Sequence, residues 1–145
     1  MKKIIITLGI IVLCIICIIL YFIYQNNHNL QIMREANKDY ESFYGKETYG
    51  TNVMSLMNKA IDSNQKNVIA KDEKGNYIEN DTNSIIITVQ FKGQDDEIFE
   101  YRMEQIAKQG SEAFIKNFGA ISFKCTKIEY HEKTNIVKSM YFEQL

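Results

Sequence analysis

Residues 4–24 read IIITLGIIVLCIICIILYFIY, an apolar run directly behind Met1-Lys2-Lys3. It holds no charge and no proline, and its small interruptions are Thr7 and Gly9. At ~1.5 Å per residue such a run spans roughly 30 Å, the hydrocarbon thickness of a bilayer. Inside lipid a lone segment must satisfy its own backbone hydrogen bonds, so it becomes a helix despite its many β-branched residues. Ile4, Gly9, Cys14, Cys17 and Tyr24 mark the length of this predicted anchor. Tyr21, Phe22 and Tyr24 close it with rings that favour the headgroup region, and Lys2 and Lys3 hold the other end in the cytoplasm. The expectation is a single-pass plasma-membrane protein with a cytoplasmic tip (1–3), a transmembrane helix (4–24) and its C-terminal domain outside.

Two other uses of the run fit less well. A cleaved signal peptide has a shorter apolar region and ends at small residues, which residues 20–24 lack. A lipid-modified cysteine needs a small residue before it, whereas Leu13 precedes Cys14 and Ile16 precedes Cys17.

The chain has 145 residues, leaving about 120 for one small domain. Setting Lys2 and Lys3 aside leaves 15 basic against 18 acidic residues, a charge of −3. That balance opposes a nucleic-acid surface. Abundant Ile, Lys and Asn fit an AT-rich bacterial genome. Cys14-x-x-Cys17 lies within the anchor with nothing polar beside it to form a thiolate, so small apolar packing is the expected role. Cys125 stands alone in the outer domain, which therefore holds no internal disulfide.

Beyond the anchor, Ile32, Met33, Ala36, Tyr40, Phe43 and Tyr44 recur at helical spacing. They predict an amphipathic stalk over 25–44, ended by Gly45. A second helix is expected with Thr51 as N-cap and an apolar face of Val53, Leu56, Met57, Ala60 and Ile61. Residues 68–70 and 77–78 flank a charged turn and suggest a short hairpin. Residues 84–91 and 98–103 suggest an antiparallel pair around 93–97. Met103, Ile106 and Ala107 open a helical region. Ser111 caps a further turn set bearing Ala113, Phe114, Ile115 and Phe118. Residues 120–132 and 135–144 read as a last hairpin. In it Phe123, Cys125, Ile128 and Tyr130 share no single face, which calls for a bulge or burial on both sides. The fold class is α+β, with antiparallel hairpins and two or three helices over 45–145.

Candidate chemistry is sparse. His28 and His131 are the two imidazoles. His131, with Glu129 and Glu132, forms a weak candidate surface site at a hairpin tip. Cys125 cannot reach His131 along one extended strand, since six residues cover about 20 Å. Asp72, Glu73, Glu79, Asp81, Asp95, Asp96, Glu97 and Glu100 gather in two loops, but the spacing is not that of an EF-hand. No catalytic residue, metal ligand or cofactor motif is predicted. Tyr40, Phe43, Tyr44 and Tyr49 are dense enough to serve packing or a contact patch.

Tyr49-Gly50-Thr51 with residues 58–62, Asp72-Glu73-Lys74-Gly75-Asn76-Tyr77, Asn83-Ser84-Ile85, residues 114–118, residues 123–131 and Phe142-Glu143-Gln144 resemble a family of small single-pass membrane proteins. That family, from low-GC Gram-positive bacteria, has no established activity, so the resemblance supplies no catalytic residue. A looser resemblance in architecture is to pilins and pseudopilins, whose hydrophobic helix runs on into a small antiparallel sheet. Their glutamate in the mature helix would fall at Cys14 when counted from Gly9, so the likeness is one of shape. The expected function is a non-enzymatic accessory or interaction protein of an envelope secretion or pilus-like assembly, with a protein partner. The alternative is an extracellular ligand- or peptide-binding module, which predicts a pocket or an open sheet edge. A third is an enzyme around His131.

Overall fold

The computed structural model describes residues 2–94 and 97–145, with no side-chain description at 2–5, 7 and 8. Met1 of the expected cytoplasmic tip, and Asp95 and Asp96 of the acidic loops, lie outside the described residues. The chain divides into two compact units, Met1–Glu35 and Ala36–Leu145. The second therefore begins nine residues before the expected boundary at residue 45.

Helix α1 (Lys2–Glu41) supplies the first unit and ends in the second. Among the described residues it holds the one stretch long and apolar enough to cross a membrane, and none of that stretch is buried against the rest of the chain. Its last turns carry Asn37 and Tyr40, both buried, with Ala36 and Phe43 half-buried beside them. Ile32 and Tyr44, expected on the same face, are exposed. Gly45 adopts φ +72°, a left-handed conformation that turns the chain after the helix.

The second unit is a mixed α+β layer pair. Its sheet comprises β1 (Glu47–Tyr49), β2 (Ile86–Lys92), β3 (Ile98–Arg102), β4 (Ser122–Tyr130) and β5 (Val137–Gln144). The order is β1-β4-β5-β2-β3. Neighbours are antiparallel except β2 and β5, which run parallel. A sheet of antiparallel hairpins alone is thus corrected: β2 pairs with β3 and β4 with β5 as antiparallel neighbours, and a parallel seam joins the two pairs.

Side chains alternate across each strand. Ile87, Val89 and Phe91 of β2 share the inner face with Met140 and Phe142 of β5 and with Phe123 and Cys125 of β4. The ladder between β4 and β5 slips between Cys125 and Lys127. Thr126 is the extra residue, and it restores Ile128 to the inner face opposite Met140.

Helices α2 (Gly50–Lys66), α3 (Met103–Gln109) and α4 (Ser111–Phe118) cover this face. α2 buries Val53, Met54, Leu56, Met57 and Ala60. Its N-cap is Tyr49, without a side-chain cap, which corrects Thr51. The helix starts at Gly50 because backbone meets backbone there. Gly50 N–H donates to the Ile121 carbonyl at 2.9 Å and Thr51 N–H to that of Gly119 at 3.2 Å. A Cβ on Gly50 would run into the Phe118 carbonyl oxygen. Similarly, Gly110 (φ +99°), not Ser111, is the N-cap of α4.

Residues 68–70 and 77–78 do not form strands. A single bridge joins Lys71 and Tyr77, flanked by backbone bonds from Ile78 to Ala70 at 2.8 Å and from Asp72 to Asn76 at 2.9 Å, and side chains tie the segment between α2 and β2 to its surroundings. Asn64, fully buried, donates to the Ile85 carbonyl at 2.7 Å and accepts from its N–H at 2.9 Å. Asn37 does the same across two residues, donating to the Asn135 carbonyl and accepting from Val137 N–H, both at 2.8 Å. Glu104 accepts from Tyr77 N–H while Arg102 donates to the Tyr77 carbonyl. Each clamp pairs backbone groups that no ladder reaches.

Replacing Asn64 by alanine strands both backbone groups of Ile85 in the core. Thermal unfolding of the full chain in detergent should show a loss of about 2–4 kcal/mol. Val68 holds φ +55° while almost fully exposed, an unfavourable conformation for a β-branched residue. Val68→Gly should therefore stabilise the chain by roughly 1 kcal/mol in the same assay.

Candidate binding cleft

The inner face of the sheet extends further than its helical cover. Phe91 lies at the margin and gathers a cluster of rings. Its centroid is 4.7 Å from Phe118, 5.8 Å from Phe123 and from Tyr101, and 6.2 Å from Phe114. Phe114 and Phe118 stand four residues apart on α4, one above the other on the same helix face. Both reach β2 because Gly110 breaks the helical region into two short pieces.

Past Phe91 the inner row continues onto β3 as Phe99 and Tyr101, paired with Phe91 and Val89. No helix closes over them. Phe99 remains 43% exposed and Tyr101 36%, beside Ile98 at 61%. Between these rings and the helices lies a cleft of about 330 Å³, walled by Phe91, Phe99, Tyr101, Ile106, Ala113 and Phe114, with the amides of Gln109 and Asn117 also lining it. Ligand pockets begin near this size and are likewise apolar with a few polar groups.

Among the described residues β3 is also a sheet edge, with no strand beyond it. Native edges are usually blunted by lysine, proline, a bulge or a cover. β3 has no lysine or proline and its register with β2 is unbroken, so its charges, Glu100 and Arg102, are what it sets against indiscriminate pairing. On the outer face Glu100 accepts a hydrogen bond from the Tyr141 hydroxyl. Partial burial, then that carboxylate, pushes the Tyr141 phenol up to about 12.

The residues singled out from sequence lie elsewhere. His131 is buried, which corrects the surface reading. Its Nε2 lies 2.8 Å from the Ser84 carbonyl and its N–H donates to Ile136, so it ties the turn between β4 and β5 to the segment before β2. Glu129 accepts from Ser139 at 2.8 Å and pairs with Lys127 at 2.7 Å. The Lys127 hydrogen bond, followed by that of Ser139, holds its carboxyl below the usual range. Glu132 is exposed. All three line a broad polar depression in which Asp81 pairs with Lys133 and Glu79 with Lys138. Glu129, Asp81 and Glu79 are thus each engaged by a lysine.

Asp72 is spent on its own turn, accepting from Asn76 N–H at 2.8 Å. Among the described residues no group of three or more His, Cys, Asp or Glu side chains could hold a metal ion. Ile4, Gly9, Cys14, Cys17 and Tyr24 all lie in α1. Cys14 and Cys17 are exposed there, and the Tyr24 ring stacks on His28. Of the four aromatics near residue 45, Tyr40 is buried and Phe43 packs on Phe142, whereas Tyr44 and Tyr49 are exposed. The chain matches no protein-family model, no curated protein and no solved structure.

Burial pushes the Cys125 thiol up to about 11. It should stay unmodified by iodoacetamide near pH 8 in the folded chain and react once guanidinium unfolds it, as peptide mapping would show. Phe91→Ala removes the centre of the ring cluster and should cost about 3–5 kcal/mol in thermal unfolding.

Proposed function

We propose that this chain is a membrane-anchored, non-enzymatic binding protein that engages a partner polypeptide at the aromatic cleft beside β3. The observation that carries this reading is the coincidence of a regular, unpaired sheet edge with an uncovered apolar cleft. Either one alone costs solubility or invites misassembly, so a native domain that keeps both gains by pairing. α1 supplies the tether. Its exposed isoleucines, leucines and aromatic rings between Ile10 and Tyr24 require an apolar surrounding, and a bilayer provides one. Lys2 and Lys3 favour the cytoplasmic side for the start of the helix, which supports a folded domain on the outside. A tethered domain with a peptide-sized cleft suits an accessory subunit of an envelope secretion or pilus-like assembly.

Two measurements test this. A tag following Leu145 should be digested when intact protoplasts meet external protease, while a tag preceding Met1 is protected; the reverse pattern defeats the proposed orientation. A photocrosslinking amino acid at Phe99 should capture a defined protein in cells, and one at Thr88 on the outer face should not. Identical products from both positions would sink the reading.

A further inference from the structure

The occupant's chemistry can be taken further, on the premise that the cleft is the binding site. We infer that β3 accepts an extended segment of a partner chain as a sixth strand, antiparallel to it, with bulky apolar side chains at alternate positions filling the cleft. Strand addition of this kind draws affinity from the backbone and specificity from pockets for every second side chain.

The ladder between β2 and β3 shows which backbone groups are available. Gly93 N–H donates to the Glu97 carbonyl at 2.7 Å, which makes that pair a hydrogen-bonded one. Hydrogen-bonded and non-bonded pairs alternate along an antiparallel ladder. With the observed register, Phe99 and Tyr101 spend their amides on Phe91 and Val89. Ile98 and Glu100 then turn their N–H and C=O groups toward the free edge.

An added strand lies about 4.8 Å beyond β3. Its inner-face residues fall alongside Phe99 and Tyr101, over the opening toward Ala113 and Phe114. Its outer-face residues fall alongside Ile98, Glu100 and Arg102. Arg102 is already paired with Glu104 at 3.0 Å, so Glu100 sets the charge preference. A neutral or basic side chain opposite it is favoured.

A second copy of this chain is the poorer occupant for the same reason. Pairing the whole of β3 with itself about a two-fold axis sets Glu100 against Glu100, and like charges directly opposite are destabilising. A compact apolar molecule would fill the cleft but leave the edge amides of Ile98 and Glu100 unused.

Glu100→Pro deletes the outward N–H without touching the bonds to β2, a substitution that edge strands tolerate. Glu100→Gln is its control for loss of the carboxylate. The probe is a pool of synthetic heptapeptides with Phe, Leu or Ile at alternate positions and Lys, Thr or Ser between them. It is applied to the full chain in lipid nanodiscs, with affinity and complex mass recorded. Wild type should retain a subset of the pool, Glu100→Gln should retain peptides with a reduced preference for Lys over Thr or Ser, and Glu100→Pro should weaken binding tenfold or more below Glu100→Gln at an unchanged melting temperature. Should the proline variant melt early, N-methylation of alternate peptide amides replaces it and should weaken binding equally. Retention indifferent to both changes overturns strand addition while leaving the cleft as a binding site. Retention of no peptide, or displacement of peptides by a second protein copy, overturns it too. Crosslinking from Phe99 then decides separately whether the cleft binds a partner at all.

Discussion

A sheet with one apolar face has to be covered, and the cover here is short of the sheet. Phe91 marks where it runs out. On one side of that ring the inner row is sealed by α2, α4 and the end of α1. On the other it continues as Phe99 and Tyr101 into solvent. The same hydrophobic burial that organises the core thus creates the surface that binding would use. The cleft needs no separate architecture, because it is the unfinished margin of the core.

A second constraint is polar. The long segment from α2 to β2 forms one short bridged turn but no strand, and the chain contains no proline to stiffen it. Asn64 and the Arg102–Glu104 pair act there as short substitutes for a ladder, as Asn37 does at the turn before β5. Their amide, guanidinium and carboxylate groups bind N–H and C=O as a neighbouring strand would. Buried polar groups of this kind are costly when half satisfied, so the clamps also fix the register of what they hold.

Much of the α+β character was legible because it rests on local periodicity. The helical faces around Val53 and Leu56 and around Phe114 and Phe118 follow directly from their spacing, as does the β character of Ile86 to Lys92. The faulty alternation of Phe123, Cys125 and Ile128 has its cause in the extra residue Thr126. What was not legible depends on partners distant in sequence. His131 reads as a solvated turn residue until Ser84, from far along the chain, closes over it. Thr51 has the chemistry of an N-cap, but a close backbone crossing begins the helix at Gly50. The cleft was least visible, since nothing in the sequence around Phe99 and Tyr101 says that their strand lies at the edge of the sheet. The abundance of rings was apparent; their arrangement required the strand order.

That order also bears on when the domain can fold. β5 lies between β4 and β2 and is the last strand formed along this chain. β2 and β3 can pair as soon as they emerge, since their partners are neighbours. The two halves of the sheet stay apart until residues 137–144 are present. A chain still short of β5 therefore has its two half-sheets but not the seam that joins them. Until then the flank of β2 that β5 will occupy is open, an interval in which a chaperone or a wrong strand could claim it.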